Sequence, residues 1–597
     1  MPTLHFKGKS VIETHHHTVP HHTLDFDKKL SVLDKGQEPS LDGNLIIEGD
    51  NLLALKALLP THAGKVKCVY IDPPYNTGKE EWVYNDNLTQ PQFKEWIGQT
   101  VGKEGEDFSR HDKWCCMMYP RLSLLKELLA PDGVMFVSID ENEFHNLRLI
   151  VDELFGIQNR VGTIVWKGAT DNNPTLIAIE HEYILCVAKD KRNLPTRWIQ
   201  PEPTAKQIIL GEYERLATAT KDLDEIQNGL REFIKTHLEE CTPLTHYDRI
   251  DPVGPYTGSR KVHNPGREGY RYDVIHPVTK KPCKLPARGY RFPPATMDQL
   301  LKSDRIIYGD DENQIIQIKE YLRDYVGPLK SVIHLDSRAG ANALEAIFGN
   351  REVFKGPKPV ELLSSVIGFA IEDGDIVLDS FAGSGSTAHA MLDLCSERSD
   401  LRRGVNFILV QQKYDSREDR KERKNIAKQI TRERVKRVID GYSREKQDRG
   451  GNVSVEPIAS LGGSFTYARL SDEPLFGDYR DLGDKLPAYD DIAAYVFYTE
   501  TSHEWKGSDR RKNKAFDKKS GRIGEHQGTS YYLLYRPNDE RDWGLSLDFA
   551  YDVLADDPNT QLVVYCEKIS LHRDQLRKFA GDSGRHVRPM LVPFNLK

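Results

Sequence analysis

The chain has 597 residues, of which 38% are hydrophobic and 29% charged. This composition is typical of globular proteins, and at about 150 residues per domain the length predicts roughly four units. No apolar run approaches the roughly 18 residues that span a bilayer and no signal peptide is visible, so we expect a cytoplasmic protein without a membrane partner. The net charge of −7 excludes a uniformly basic coat for nucleic acid. The eight cysteines lack a Cys-x-x-Cys pair, which favours free thiols.

Residues 1–40 are predicted to form a polar N-terminal arm that contains a cluster of histidines. The cluster consists of His15, His16, His17, His21 and His22. Its members have no regular ligand spacing, so the sequence predicts no metal site.

A strand that ends near Glu48 is followed by Gly49, Asp50 and Asn51 and then by a helical pattern of leucines. Asp50 precedes the first leucine, which is where an aspartate caps a helix N-terminus.

The most informative segment is Ile-Asp-Pro-Pro-Tyr-Asn-Thr-Gly at 71–78, directly after a mostly apolar strand, 66–70. Asp72 can accept a hydrogen bond from an amino group. Pro73 and Pro74 stiffen the backbone so that a carbonyl can point at the same amine, and Tyr75 offers a face for stacking. The simplest alternative is a Pro-Pro turn after a buried strand.

Further strands are predicted at 133–140, 161–167 and 181–189, with helices at 119–129 and 143–155. This alternation is typical of an α/β fold. Asp140, at another strand end, is either structural or functional.

The stretch 256–293 contains nine basic and two acidic residues with interleaved tyrosines. Such a segment attracts phosphates, and arginine can recognise guanine with two hydrogen bonds. A solvated basic loop is the alternative. The predicted DNA-binding residues are Arg260, Lys261, Arg267, Arg271, Arg288 and Arg291.

A second motif follows the strand at 375–379, and a helix is predicted at 389–394. A strand, a Gly-x-Gly turn and a helix start bring backbone close to a bound nucleoside, and a nicotinamide-binding fold could also carry this pattern. The residues of the motif are Asp379, Ser380, Phe381, Ala382, Gly383, Ser384, Gly385 and Thr387. The next strand, 406–410, ends in Gln411-Gln412, where an acid would favour ribose binding.

The basic run 417–437 has helical spacing and is predicted to be a solvated helix. Strands are predicted in the last region at 492–498, 531–535 and 562–566. We expect residues 451–597 to form an α+β accessory domain for dimer or partner contacts.

The Asp-Pro-Pro-Tyr element resembles the catalytic motif of amino-group DNA methyltransferases, and Phe381 with its glycines resembles their cofactor loop. Asp379 lies 307 residues after Asp72. This order resembles the β class, and the blocks 136–143, 180–185 and 354–359 resemble the modification subunits of type III restriction-modification systems.

The resemblance implies a circularly permuted Rossmann-like fold, with catalytic residues at 72–75 and S-adenosyl-L-methionine as cofactor. It implies that Asp50 contacts the adenine end of the cofactor, that Asn51 also binds the cofactor, and that Lys358 lines its methionine side. For the block that contains Lys358, a surface turn is the alternative. It divides the chain into a catalytic half (41–199), a target-recognition insertion (200–330) and a cofactor-binding half (331–450).

The expected reaction is methylation of adenine N6 in flipped-out bases of double-stranded DNA. An aspartate in first position favours adenine over cytosine N4. The expected partners are double-stranded DNA, a second copy in a homodimer, and a helicase-nuclease restriction subunit. A stand-alone methyltransferase, a non-catalytic DNA-binding scaffold and a dinucleotide-dependent oxidoreductase are the alternatives.

Overall fold

The computed structural model describes most of the chain in two compact units, which consist of residues 1–196 with 330–597, and of residues 197–329. The described residues are 4–77, 107–168, 176–196, 198–200, 204–242, 244–259, 262–263, 266, 268–325, 327–398, 400–401, 404–447, 453–475, 487–535 and 544–592.

The first part of unit 1 alternates strands and helices. Its strands are β1 (His22–Phe26), β2 (Leu45–Glu48), β3 (Val66–Ile71), β4 (Leu129–Ile139), β5 (Arg160–Lys167) and β6 (His181–Ala188). Its helices are α1 (Lys9–Ile12), α2 (His15–Thr18), α3 (Asn51–His62), α4 (Asp107–Leu128) and α5 (Phe144–Phe155). Asp50 caps α3 by accepting hydrogen bonds from the backbone of Leu52 and Leu53, which confirms the predicted helix start.

Unit 2 has two small cores and short elements. Its strands are β7 (Ile199–Gln200), β8 (Arg249–Asp251), β9 (Gly254–Ser259), β10 (Ile306–Ile307), β11 (Gln317–Tyr321) and β12 (Gly327–Pro328). Its helices are α6 (Thr204–Ala219), α7 (Leu223–Thr236), α8 (Leu238–Cys241) and α9 (Pro294–Lys302). This unit covers nearly the same residues as the predicted target-recognition insertion, whose role stays a prediction.

Unit 1 resumes with the strands β13 (Val332–His334), β14 (Ile376–Asp379) and β15 (Asn406–Gln411). Its helices here are α10 (Arg338–Phe348), α11 (Val360–Ile367), α12 (Ser386–Glu397), α13 (Arg417–Glu422) and α14 (Arg432–Asp440). A π-helical turn, Ala427–Thr431, leads directly into α14.

The last part of unit 1 contains β16 (Tyr442–Gln447), β17 (Val453–Ile458), β18 (Thr466–Pro474), β19 (Arg522–His526), β20 (Thr529–Leu534), β21 (Gln561–Cys566) and β22 (His586–Leu591). Its helices are α15 (Tyr489–Thr501), α16 (Leu547–Phe549) and α17 (Arg573–Ser583). Strands β19 to β22 form a separate four-stranded sheet.

Within the described residues, the main sheet has ten strands in the order β1-β18-β2-β15-β14-β3-β4-β6-β5-β13. Strands β2, β15, β14, β3 and β4 are parallel, whereas β6 is antiparallel to both of its neighbours. Val377 and Leu378 of β14 pair with Cys68 and Val69 of β3. The two motif-bearing strands are therefore neighbours, and their carboxyl ends meet at the edge where open α/β sheets bind ligands.

The predicted α/β class is confirmed, but one predicted element is wrong. Residues 492–498 lie in the helix α15 rather than in a strand. Their aromatic and β-branched side chains suggested a strand, yet Ile492, Ala493, Val496 and Phe497 are all buried along one helical face. Asp490 and Asp491 lie in the first turn, where the helix dipole favours acids.

The prediction for the basic run 417–437 is also partly wrong. The run is helical over much of its length, as expected, but Arg434 is fully buried rather than solvated. The predicted free thiols are confirmed, since all eight cysteines are unbonded and Cys115 and Cys116 are buried. In the described part of the chain, no helix is both long enough and apolar enough to cross a bilayer.

Candidate active site

Asp72 and Tyr75, directly after β3, are joined by a hydrogen bond. The Tyr75 hydroxyl donates to Asp72 Oδ1 at 2.9 Å and lies 2.8 Å from Glu182 Oε2. Lys358 donates from Nζ to the Tyr75 oxygen at 2.8 Å and forms an ion pair with Asp72 Oδ2 at 2.9 Å. Four side chains from three distant segments therefore form one network around the catalytic motif.

Burial and the neighbouring opposite charges shift the pKa values of Asp72 and Lys358 in opposite directions. Burial raises the pKa of Asp72, and the Lys358 ammonium partly offsets that rise. Burial by itself lowers the pKa of Lys358, but the carboxylates of Asp72 and Glu182 outweigh it and raise that pKa. Lys358 Nζ also lies 5.0 Å from the centre of the Tyr75 ring. The lysine is thus held as a cation, and its charge favours the ionised form of Asp72.

The backbone of the motif is fixed from both sides. The Trp114 indole N–H donates to the Pro74 carbonyl at 2.7 Å, which leaves the Pro73 carbonyl as the better candidate acceptor for a ligand amine. Asn76 has a positive φ of 59° and is buried, and its amide bonds to the buried Glu143. This anchor turns the chain sharply after Tyr75. Gly78, the last residue of the motif, lies outside the described residues.

The side chain of Asp379, at the end of β14, bonds to both ends of the loop in the second motif. Asp379 accepts from the Phe381 backbone at 2.9 Å and from the Thr387 hydroxyl at 2.6 Å. Burial raises its pKa to about 7. The predicted cofactor residues Asp379 and Thr387 therefore bond to each other, and together they tie the loop to the start of α12.

The Gly383 backbone is held by two hydrogen bonds with side chains. Its N–H donates to Gln411 Oε1 at 2.7 Å, and its carbonyl accepts from the Thr431 hydroxyl at 2.6 Å. Its φ is +51°, and a Cβ added there would lie 2.9 Å from a ring carbon of Phe354. Both the conformation and the space therefore favour glycine. Phe354 also brings the block 354–359 against this loop.

Gln411 occupies the strand end where the sequence pattern lacks an acid. Its amide donates to Asp415 Oδ1 at 2.6 Å, and Gln412 also contacts this oxygen. Burial raises the pKa of Asp415 to about 6. An acid is therefore present at this edge after all, four residues beyond the expected position.

Arg434 lies behind the loop and was missed by the sequence analysis. Its guanidinium donates to Ser384 at 2.9 Å and to Ser386 at 2.8 Å. Burial lowers its pKa to about 10, so the arginine remains charged at neutral pH. The π-helical turn before α14 supplies Thr431, and α14 supplies Arg434, so these two adjacent segments support the glycine loop.

Asn51 connects the start of α3 to the same loop. Its amide donates to the Ser380 carbonyl at 2.9 Å and its oxygen accepts from Arg121 at 2.6 Å. Asp50 Oδ2 lies 3.6 Å from the Arg121 guanidinium. The predicted residues Asp50 and Asn51 are thus at the carboxyl edge, and Ala382 continues the loop through a bond from its N–H to the Val410 carbonyl.

Lys358 contacts Tyr75 and Asp72 of the predicted catalytic motif. Its predicted contact with the cofactor stays a prediction. Glu182, Glu143 and Trp114 were not predicted as site residues. Glu182 and Glu143 belong to the blocks quoted for the family resemblance, which was the available signal, whereas nothing local marks Trp114.

The predicted DNA-binding residues are only partly described. Arg260, Lys261 and Arg267 lie outside the described residues, whereas Arg271, Arg288 and Arg291 are exposed. Arg271 forms an ion pair with Glu268 at 3.1 Å. Tyr290, one of the interleaved aromatics, is fully buried and stacks on Tyr272, so its ring is part of a small core and is not available to a base.

Comparison with known proteins gives a consistent result. Residues 66–429 match the N6/N4 methyltransferase family described as DNA methylase. The chain is 42% identical over 461 residues to the Mod subunit of the type III restriction-modification enzyme EcoP15I of Escherichia coli, covering 76% of this chain and 70% of that protein. It is 31% identical to the StyLTI Mod subunit of Salmonella typhimurium, covering 66% of this chain and 57% of that protein.

Solved structures with similarity include a putative DNA modification methylase from Thermus thermophilus complexed with S-adenosyl-L-methionine. It is 15% identical, with 64% of this chain and 94% of that chain covered and a TM-score of 0.26. The cytosine-N4-specific PvuII DNA methyltransferase is 11% identical, with 67% and 93% covered and a TM-score of 0.30. The assignment rests on the sequence matches, which span the catalytic and cofactor motifs: this chain belongs to the N6/N4 DNA methylase family.

Proposed function

We propose that this chain transfers a methyl group from S-adenosyl-L-methionine to N6 of adenine in double-stranded DNA, as the modification subunit of a type III restriction-modification system acting in the cytoplasm. The single observation that carries the proposal is the position of Asp72 and Asp379 at the carboxyl ends of the neighbouring strands β3 and β14. The first motif supplies acceptors for an amine, and the second supplies a glycine loop for a nucleoside.

The residues of the loop fit this cofactor. Gly383 and Gly385 both have positive φ, and Gly383 leaves backbone open where a side chain would collide with Phe354. Within the described chain, the hydroxyl of Ser380 is buried without a hydrogen-bond partner, so the loop retains an unused polar atom. The carboxyl groups of the partly buried Asp72 and the buried Asp379 would favour a cationic ligand. The bound cofactor would supply an electrophilic methyl group on a sulfonium.

The proposed binding residues are those of the loop 379–387 together with Asp50, Asn51 and Lys358. Asp415 is the candidate acid for the ribose hydroxyls, because Gln411 connects it directly to the Gly383 backbone. This role replaces the acid that the sequence pattern lacks at Gln411.

The target amine requires activation because its lone pair is delocalised into the adenine ring. Hydrogen bonds from N6 to Asp72 and to the Pro73 carbonyl would favour a tetrahedral nitrogen with a localised lone pair. Tyr75 would stack on the flipped base, since the amine cannot be reached inside the duplex. Most of the rate gain would come from positioning and from the negative charge of Asp72 facing a developing cation.

Asp72 must first become available to the amine. Tyr75 occupies one of its oxygens and Lys358 the other. Glu182 lies 3.3 Å from Lys358 Nζ and can receive the ammonium when a base enters. Glu182 is therefore a positioning residue in this proposal, and it lets Lys358 leave Asp72 without losing a carboxylate partner.

The type III assignment is supported by the similarity to two Mod subunits over most of this chain. It implies a restriction subunit as partner, double-stranded DNA as substrate and a homodimer as the active state. A stand-alone adenine or cytosine-N4 methyltransferase is the second candidate, because Asp72–Tyr75 can hold either exocyclic amine.

The test is a methyl-transfer assay with the purified full chain, labelled S-adenosyl-L-methionine and double-stranded DNA, followed by base analysis. We expect label in N6-methyladenine, and Asp72→Ala is the matched inactive control. Label in N4-methylcytosine would support the second candidate. No incorporation by the folded chain into DNA of diverse sequence would contradict the proposal.

A further inference from the structure

The N-terminal histidine cluster meets a carboxylate from a distant helix. His16 and His17 lie on α2, and Glu127 lies in the last turn of α4. One ligand atom from each residue lies within 4.8 Å of the other two. Zn²⁺ with bonds of about 2.1 Å would need these atoms roughly 3.4 Å apart, so modest side-chain rotations would complete the arrangement.

The imidazole of His16 lacks a satisfying partner in the described structure. Its Nδ1 is buried without a hydrogen-bond partner. Its Nε2 lies 3.9 Å from Glu127 Oε1, which is too long for a hydrogen bond. An imidazole nitrogen without a hydrogen-bond partner is available to ligate a metal ion.

The Glu127 carboxylate is oriented by a hydrogen bond to the oxygen that does not face His16. The Tyr498 hydroxyl donates to Glu127 Oε2 at 2.7 Å, which leaves Oε1 facing His16. A hydrogen bond of this kind fixes a metal ligand and increases its affinity. Lys56 Nζ donates to the His16 carbonyl at 3.0 Å and holds α2 in place.

The charges around the histidine cluster restrict which metal ion can bind there. Lysines line the surrounding cleft, so a hard cation that needs several carboxylates would be disfavoured. The carboxyl end of α4, where Glu127 lies, carries the negative end of a helix dipole and favours a cation. Two imidazoles and one carboxylate occur as the protein ligands of Zn²⁺ sites in which a solvent molecule takes the fourth position.

We propose that His16, His17 and Glu127 bind one Zn²⁺ ion, which fastens the N-terminal arm to the end of α4. The site is separate from the catalytic centre. Glu127 lies two residues before β4, at the amino edge of the parallel strands, whereas Asp72 follows the carboxyl end of β3. The ion therefore takes no part in methyl transfer, which should persist in a chelator.

The experiment titrates the chelator-treated full chain with Zn²⁺ alone by calorimetry and with Co²⁺ alone by visible absorption. We expect one ion per chain and the absorption of four-coordinate Co²⁺. Glu127→Gln and His17→Ala should each weaken binding at least tenfold, and Tyr498→Phe by about tenfold. His145→Ala, which removes an exposed histidine of α5, should leave binding unchanged.

The main competing explanation is that varying subsets of the five clustered histidines chelate the ion without Glu127. Unchanged affinity in folded Glu127→Gln would establish that explanation and overturn the proposal, as would the absence of stoichiometric binding by the wild type. Thermal melts of each variant verify folding. Because His17 is exposed, His17→Ala keeps the test valid if Glu127→Gln is destabilised.

Discussion

At the residue scale, the reactivity of Asp72 depends on which groups occupy its two oxygens. We predict that Asp72→Ala lowers kcat by on the order of a thousandfold or more, because the acceptor for the target amine is lost. Cofactor affinity measured by calorimetry should be largely unchanged, since the glycine loop is held by other residues. Asp72→Asn keeps one acceptor oxygen and should lose less activity. Near-normal turnover by folded Asp72→Ala would refute the catalytic role.

Glu182 provides a more selective test of the network. Glu182→Gln keeps an acceptor for Tyr75 but removes the charge that can receive Lys358. We expect kcat to fall about tenfold, which corresponds to roughly 1.4 kcal/mol, with little change in KM for DNA. The Glu182 carboxylate also raises the pKa of Asp72, so the acidic limb of the pH–rate profile should move to lower pH in the variant. An unmoved limb with unchanged kcat would exclude this positioning role.

The pKa of Asp379 has a consequence for stability. Burial raises it to about 7, whereas an unfolded aspartate titrates near 4. The native state therefore binds the proton more tightly, and the resulting stabilisation is complete below about pH 4 and is lost as pH rises through about 7. The free energy of unfolding of the cofactor-free wild type should fall relative to Asp379→Asn between these pH values.

The relative change in the free energy of unfolding is at most roughly 4 kcal/mol, which corresponds to a pKa shift of about three units. Asp379→Asn retains an oxygen for the Phe381 backbone, so it serves as the matched reference. Denaturant unfolding at several pH values gives both curves. If the free energies of unfolding of the two proteins change in parallel with pH, Asp379 titrates with the pKa of an unfolded aspartate.

At the element scale, the glycine loop depends on three supporting segments that follow it in the chain. Thr431 and Arg434 bond to the loop from the π-helical turn and from α14, and Gln411 bonds to it from the end of β15. Each contact fixes backbone or a serine of the loop. The loop is therefore arranged for a ligand before the ligand binds, which reduces the entropy cost of binding.

We predict that Gly383→Val weakens S-adenosyl-L-methionine binding at least tenfold, because its side chain meets Phe354 and its backbone is strained. Phe381→Ala should also weaken binding by removing a buried ring from the loop. Gly349→Val is the matched control, since Gly349 has a φ of +71° and open space around it. Calorimetry that gives unchanged affinity for both loop variants would contradict the placement of the cofactor.

At the scale of the whole molecule, the predicted catalytic motif and the predicted cofactor motif both lie in unit 1, while residues 197–329 form a unit of their own. We predict that exchanging residues 200–330 for the matching segment of a relative changes which DNA sequence is methylated but not the base type. Asp72 to Tyr75 would hold any flipped adenine, whereas recognition needs groups that reach base edges. Sequencing of N6-methyladenine would map the sites, and an unchanged set would place recognition outside this unit.

Single variants of exposed arginines refine the same prediction. If Arg271 or Arg288 contacts phosphate, its removal should weaken binding to all sequences and reduce the salt slope by about one. If it contacts a base, selectivity should relax at one position, at a cost of about 1–3 kcal/mol. Arg215, which is exposed and paired with Glu212 in α6, provides a control arginine in the same unit.

Elements with strong local signals were predictable. Helix α5 was expected at 143–155 and is Phe144–Phe155, followed by Gly156 at a positive φ. The helix α15 was mistaken for a strand because its composition favours β structure, and only packing of one face against neighbouring strands made it helical. Arg434 was expected in solvent for a similar reason, since charge pattern alone cannot reveal burial behind a loop.

The sequence by itself determined the chemistry, because an acid, two prolines and a tyrosine at a strand end, and glycines after another strand, are local patterns with local causes. Only the tertiary structure decided which distant side chains complete them. Lys358 reaches Asp72 and Glu182 reaches Tyr75 from segments far along the chain, and Glu127 reaches the histidines of α2 in the same way. Such contacts depend on strand order and helix packing, which long-range burial of apolar surface determines and local sequence does not encode.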